Sequence, residues 1–179
     1  MLSLEGDLGL DVFEAVRNRR SIRDFQDKTV EREKLLKILE AGRLSRSAVN
    51  FQPWHFIAVM NKTAKESLFS AYTKEWLIRA PVIIVACAVP EKAWSRNDGE
   101  EYWKVDVAIA MQNMILVAWE LGLGSCWIGA FNEGKVKKAL GIPNEVRVVA
   151  LTPLGYPAEQ KGQISQRKPL EEIVHYDHR

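Results

Sequence analysis

Residues 101–122 read EYWKVDVAIAMQNMILVAWELG. The run is long enough for a helix of about six turns. Between Trp103 and Trp119 only Lys104, Asp106, Gln112 and Asn113 interrupt an apolar surface. A helix apolar nearly all round lies at the centre of a fold or is covered by a partner subunit. The polar residues within 105–119 argue against a membrane span. Gly122 and Gly124 end the helix.

Such a helix needs a surface to pack on, and the chain on either side provides strands. PVIIVACAV, residues 81–89, is an almost unbroken apolar run of strand length, which predicts a strand buried on both faces. WHFIAVM (54–60) and EVRVVALTPLG (145–155) also read as strands, and SCWIGAF (125–131) as a short strand or turn. Helices are predicted over LDVFEAVRNRR (10–20), with Asp11 as cap and Val12, Ala15 and Val16 on one side. EREKLLKILEAGRLS (31–45) predicts an amphipathic helix with Leu35, Leu36, Ile38, Leu39 and Gly42 on one face. One helix is expected through KTAKESLFSAYTKEWLIR (62–79), and another in NEGKVKKALG (132–141) between Asn132 and Gly141. The tail from Gln163 reads as extended. Helices and strands mix without repeats or linkers, so residues 1–179 are expected to form a single α+β or α/β domain with helices packed on a sheet.

The chain has 179 residues, 47% of them hydrophobic, which suits one sizeable core. Its 25 basic and 23 acidic residues give a net charge of +2, too balanced to suggest a nucleic-acid partner. Cys87 and Cys126 lie far apart in apolar runs and read as buried small side chains, compatible with a reducing cytoplasm. The N-terminus lacks the basic and apolar regions of a signal peptide, so a cytoplasmic protein is expected, with no membrane partner.

No GxSxG, HExxH or GxxxxGK[ST] motif is present, and the GxG at Gly122–Gly124 follows a helix, the wrong order for a dinucleotide fingerprint. Four polar clusters remain. RRSIRDF (19–25) carries Arg19, Arg20, Ser21 and Arg23; it is either a solvated helix end or a phosphate clamp. SRSAVNFQPW (45–54) offers Ser47, Asn50 and Gln52, in an ordinary polar turn or a ligand loop. GLGSCWIGAF (122–131) is a helix stop before a core strand, or a place where backbone approaches a flat ligand. QRKP (166–169) holds Arg167 and Lys168 in a basic turn. Polar clusters without a nucleophile or base suit a site whose chemistry belongs to a cofactor.

In this order and spacing the four clusters resemble the nitroreductase family of FMN-dependent oxidoreductases, over roughly residues 11–174. RRSIRDF resembles the family's opening Arg-Arg-Ser-x-Arg motif, and SRSAVNFQPWHFIAV its Pro-Ser-x-x-Asn-x-Gln-Pro-Trp segment. The run AIAMQNMILVAWELGLGSCWIGAF resembles its central helix and the turn behind the flavin, and LTPLGYPAE with RKPLEEIV its closing segment. The resemblance implies an α+β nitroreductase-like fold with a mixed central sheet flanked by helices, in an intertwined homodimer with FMN at the interface. It implies that Arg19, Arg20, Ser21 and Arg23 hold the phosphate and ribityl chain, with Arg167 reaching the phosphate from the tail. Ser47, Asn50 and Gln52 would contact the ring or ribityl hydroxyls from the same or the other subunit. The backbone at Ile128, Gly129 and Ala130 would face the isoalloxazine. No metal and no catalytic side chain are implied. The implied activity is ping-pong hydride transfer from NADH or NADPH to a small oxidised acceptor, a nitroaromatic or quinone, with the protein stabilising the reduced, anionic ring.

Two departures stand out. Arg46 occupies the family's usual proline position, and Asn61–Ala80 is only a helix long, where lid-bearing, dehalogenase-type relatives have more chain. The loop over 90–103, with Trp94, Tyr102 and Trp103, either shapes the pocket or anchors itself to the core. A flavin-fragmenting or dehalogenase-type enzyme on the same fold, or a non-enzymatic FMN-binding protein, are the alternatives.

Overall fold

The computed structural model describes residues 11–164 and 166–179; the first ten residues, on which much of the N-terminal reading falls, and Ser165 lie outside the described set. Its elements run α1 (Val12–Asn18), α2 (Arg32–Arg43), β1 (Trp54–Val59), α3 (Lys62–Ser67), α4 (Glu75–Arg79), β2 (Val82–Ala88), α5 (Trp103–Glu120), β3 (Gly124–Ser125), α6 (Glu133–Leu140) and β4 (Arg147–Gly155). The four strands form one sheet in the order β1-β2-β4-β3.

The apolar run at 82–88 is the sheet's second strand, hydrogen-bonded on both edges and buried at every position. Its side chains alternate between two cores, as the pleat requires. Val82, Ile84, Ala86 and Ala88 pack toward α2 and α5, where they meet Ile38, Val107, Met111 and Met114. Ile83, Val85 and Cys87 face the other way, against Leu68, Leu77 and Val136 from the smaller helices and Ile142 just beyond α6. Helices therefore cover both faces, which is why the strand shows no polar alternation. Burial pushes the Cys87 thiol up to about 11, so it behaves as an inert small hydrophobe; Cys126 is buried too.

The α+β class holds, with helices flanking a central sheet. The three ladders between named strands are antiparallel. Among the described residues the parallel component is a single bridge between Ser21 and Ser125, where Ile22 N–H donates to Ser125 O at 2.9 Å.

Helix α5 runs where expected, and buries Trp103, Asp106, Val107, Ala110, Met111, Met114, Ile115 and Ala118. Its opposite face carries Val105 and Ile109, 42% and 41% exposed. Helix α2 buries Leu35, Ile38 and Gly42, whereas Leu36 points to solvent, so its apolar stripe is narrower than the sequence suggests. In α1 Asp11 caps the helix through Phe13 N–H at 2.9 Å, but only Ala15 of the expected apolar side is buried.

The expected single helix over 62–79 is broken. Asn61 caps α3, a 3-10 turn follows over Leu68–Ser70, and α4 restarts from extended Lys74. The reason is geometric. Leu68 and Leu77 are both fully buried in the same core. Nine residues apart, they would face opposite sides of a straight helix of about 3.6 residues per turn. The chain breaks between them and buries both.

Candidate functional site

Helix α1 ends at Asn18, and Arg19 leaves it in an extended conformation while its N–H still donates to Ala15 O. The segment then runs beside the edge of β3. Ile22 is buried against Gly124, where a β-carbon would lie 2.6 Å from the isoleucine side chain, so the glycine is what allows the approach. The tail closes over the other side: Gln26 N–H donates to Tyr156 O and Ala158 N–H to Asp24 O. Lys161 Nζ donates to Ser21 O at 3.1 Å and pairs with Glu159 at 2.6 Å. Residues 21–26 are thus fixed along both edges.

This arrangement puts Arg19, Arg20 and Ser21 into one cavity of about 190 Å³ with Gln112, Ile115, Ser125 and Trp127. The Nε atoms of both Arg19 and Arg20 are buried and have no hydrogen-bond partner among the described residues. Among the described residues no acidic side chain lines the cavity. Two buried guanidinium donors without acceptors are costly, and an anion with several oxygens removes the cost. The residues therefore fit a phosphate group. Gln112, Ser125 and Trp127 were not singled out from sequence. Gln112 looks like one more polar break in a buried helix, and only its place one helical turn from Ile115 brings it to the arginines.

The other expected site residues lie apart from this cavity within the one chain. Arg23 stands 5.9 Å over the Trp76 ring. Ser47, Asn50 and Gln52 sit in a tight loop near the first turn of α5. Ser47 Oγ accepts from Gln52 N–H at 2.9 Å, and Asn50 N–H donates to Ser47 O. Arg46 is exposed beside it. The loop has three non-glycine residues at positive φ: Val49 at 51°, Asn50 at 59° and Gln52 at 51°. Beneath it, Asp106 is buried, and burial pushes its carboxyl above the ordinary range, partly offset by the Ala48 N–H.

In the turn after β3, Ile128 commits both backbone groups to Leu151, accepting at 3.1 Å and donating at 2.9 Å. Its N–H is therefore not free for a ligand. Gly129 and Ala130 follow with exposed backbone and no backbone partner among the described residues. Trp127, 40% exposed, folds so that its Nε1 lies 3.8 Å from where a Gly129 β-carbon would be. Arg167 is exposed, and its Nη1 donates to Gln166 O.

The aromatic loop braces itself. Trp94 and Tyr102 pack edge to face at 4.8 Å, and Arg96 binds Asp98 and Tyr102 Oη. Trp103 is core, with its Nε1 donating to Glu101. None of the three aromatics lines the arginine cavity.

An α+β sheet protein whose paired arginines fit an anion, beside a glycine turn with exposed backbone, is of the class that binds a phosphate-bearing ligand. The model of the nitroreductase family matches residues 16–156, and the chain belongs to that family. It is 38% identical over 159 residues to a protein of Methanothermobacter thermautotrophicus provisionally named an NADH dehydrogenase/NAD(P)H nitroreductase, with 86% of this chain and 81% of that protein covered. A nitroreductase family protein of Clostridium difficile 630 superposes with a TM-score of 0.87 at 30% identity, over 94% of this chain and 99% of the other. An FMN-dependent nitroreductase of Clostridium difficile R20291 does so at 0.79 and 32%, over 93% and 99%. Among the described residues no helix is long and apolar enough to cross a membrane.

Proposed function

We propose that residues 1–179 act as one FMN-binding domain of an NAD(P)H oxidoreductase that reduces nitroaromatic or quinone-type acceptors. The observation that carries this reading is the pair of buried Nε atoms of Arg19 and Arg20, which among the described residues have no partner and share a cavity with no acidic side chain. Bound FMN would supply the redox chemistry, accepting a hydride from NADH or NADPH and passing reducing equivalents to the acceptor in a ping-pong cycle.

The chain's own residues bind and orient. Arg19 and Arg20 supply charge-assisted donors to the phosphate, and the Ser21 hydroxyl adds another. Arg23 and Arg167 contribute further positive charge. Gly129 and Ala130 offer backbone N–H groups to the ring, which stabilise negative charge as it develops there. Ser47, Asn50 and Gln52 present polar groups from a second direction.

The site is completed by a homodimer. A cavity of about 190 Å³ is small beside the roughly 300–1,000 Å³ of ordinary ligand pockets. The 47–52 loop does not line it. The exposed apolar face of α5, with Val105, Ala108 and Ile109, is suited to burial against the same face of a second copy. The enzyme works in the cytoplasm, where NADH and NADPH are supplied and where Cys87 and Cys126 stay reduced.

The test is the purified protein. It is expected to be yellow, to release FMN on denaturation, and to oxidise NADH or NADPH when a quinone or nitroaromatic is added. Protein that takes up no added FMN overturns the reading. Oxygen-dependent destruction of the chromophore on reduction would assign it to flavin fragmentation. FMN binding without NAD(P)H oxidation would make it a binding protein. A dehalogenase is disfavoured by the 61–80 segment, which holds only α3, a 3-10 turn and α4.

A further inference from the structure

Asp106 lies in the first turn of α5 and is 1% exposed. Its Oδ1 accepts the Ala48 N–H at 2.9 Å, and its Oδ2 has no partner among the described residues. A carboxylate this dry is expensive to keep. The packing of α5 does not call for it, since Trp103, Val107 and Ala110 beside it belong to an apolar core. What the carboxylate does reach is the strained loop.

That strain is real in kind. Val49 is β-branched and stands at φ 51°, and Asn50 and Gln52 share the left-handed region. The N–H groups of Asn50, Phe51 and Gln52 all donate to the loop's first two residues, and Gln52 Nε2 donates to Asn50 O at 3.2 Å. Asn50 N–H donates to Ser47 O, Phe51 N–H to Ala48 O, and Gln52 N–H to Ser47 Oγ. Ala48 is therefore the fixed point: its carbonyl holds Phe51, and its N–H is held by Asp106. Two turns further along α5, Asn113 Nδ2 donates to Ser45 Oγ at 2.8 Å, and Ser45 in turn donates to Ala41 O. Helix α5 thus grips the start of the loop at two points.

We propose that Asp106 is a positioning residue for the cofactor site: by anchoring Ala48 it holds Val49, Asn50 and Gln52 in the left-handed conformation that presents Asn50 and Gln52 to the flavin. The proposal rests on the reading of that loop as part of an FMN site. Asp106 touches neither cofactor nor acceptor and acts only through the loop backbone.

The test compares wild type with Asp106→Leu, Asp106→Asn and the double variant Asp106→Leu/Val49→Gly. Leucine keeps the bulk and removes the acceptor. Asparagine keeps an oxygen for Ala48. Glycine at 49 adopts positive φ without steric cost. Two quantities are read: backbone amide exchange of residues 48–52 in FMN-free protein, and the FMN dissociation constant. Asp106→Leu is expected to speed loop exchange and weaken FMN binding by about tenfold or more, while Asp106→Asn stays within about threefold of wild type on both. Adding Val49→Gly is expected to recover part of the lost FMN affinity. The proposal is overturned if Asp106→Leu lowers the Tm yet leaves loop exchange and FMN affinity of the folded protein unchanged. It is equally overturned if Asp106→Asn is as damaging as Asp106→Leu. Wild-type protein that binds no FMN sinks the flavin reading alone, because loop exchange still decides whether Asp106 orders the loop.

Discussion

Gly42 of α2 lies against Met114 of α5 so closely that a β-carbon at 42 would sit 2.7 Å from the Met114 sulfur and 3.1 Å from the Phe56 ring. The α2–α5 spacing is set by this absent side chain. Both helices pack on the face of β2 that carries Ile84 and Ala86. A valine at 42 gains some helix propensity over glycine, but it forces two branches into a filled space. We expect Gly42→Val to lower stability by roughly 2 kcal/mol net. Urea denaturation at neutral pH measures it, and an unchanged midpoint would show that the helices can separate without loss.

The arginine pair makes opposite predictions for empty and loaded protein. Arg19→Met keeps the aliphatic stem and removes the guanidinium. With FMN bound, a lost charge-assisted hydrogen bond weakens affinity by about 1.5–3 kcal/mol, roughly ten- to a hundredfold. Without FMN, the variant removes a buried donor that has no acceptor, so its Tm should equal or exceed that of the wild type. Thermal melts with and without FMN separate the two. A variant equally destabilised in both states would mean that Arg19 is structural.

These two cases show what was and was not legible in the sequence. Strand β2 could be read because burial on both faces leaves an unmistakable apolar run, and helix α5 because apolar residues cover its exposed face as well as its buried one. The 62–79 break could not, since it exists only because Leu68 and Leu77 share a core that other segments complete. In the site, RRSIR was visible as chemistry, whereas Gln112 and Lys161 join it through tertiary contacts that no local pattern announces. The Ile128 N–H donates to Leu151, a pairing 23 residues away that a turn reading cannot foresee. The separation of the 47–52 loop from the arginine cavity was likewise invisible, because the spacing of motifs along a chain does not say whether they meet in one copy or two.

Acid should weaken the fold through Glu133. Its carboxylate accepts from Arg147 Nε at 2.9 Å, Nη2 at 3.1 Å and the Val148 N–H at 2.9 Å. Burial alone would raise its pKa, but these hydrogen bonds and the Arg147 and Lys137 charges hold it below the ordinary value. A lowered carboxylate contributes stability that is fully present above its unfolded pKa and lost as pH falls through the folded one. The contribution is present at neutral pH, and it should disappear below the usual glutamate range. Glu133→Gln should therefore be less stable than wild type at pH 7 and indistinguishable from it well below that range. Denaturant midpoints across that range provide the check; a constant gap at all pH values would exclude ionisation as the cause.

The dimer prediction links oligomeric state to cofactor. Val105 and Ile109 stand one turn apart on the exposed face of α5, while Gln112 on the same helix lines the arginine cavity. If a second copy covers this face, it also closes the cavity, and FMN retention needs both chains. Ile109→Lys places a charge in the centre of the apolar face without touching Arg19, Arg20 or Ser21. An ammonium there must be buried unpaired in a dimer but is harmless in a monomer, so it should shift the equilibrium toward single chains. Sedimentation should then show a monomer, and that monomer should lose FMN although Arg19, Arg20 and Ser21 are intact. Raising the protein concentration should restore dimer and flavin together. A monomeric variant that still holds FMN as tightly as wild type would mean that one chain builds the whole site.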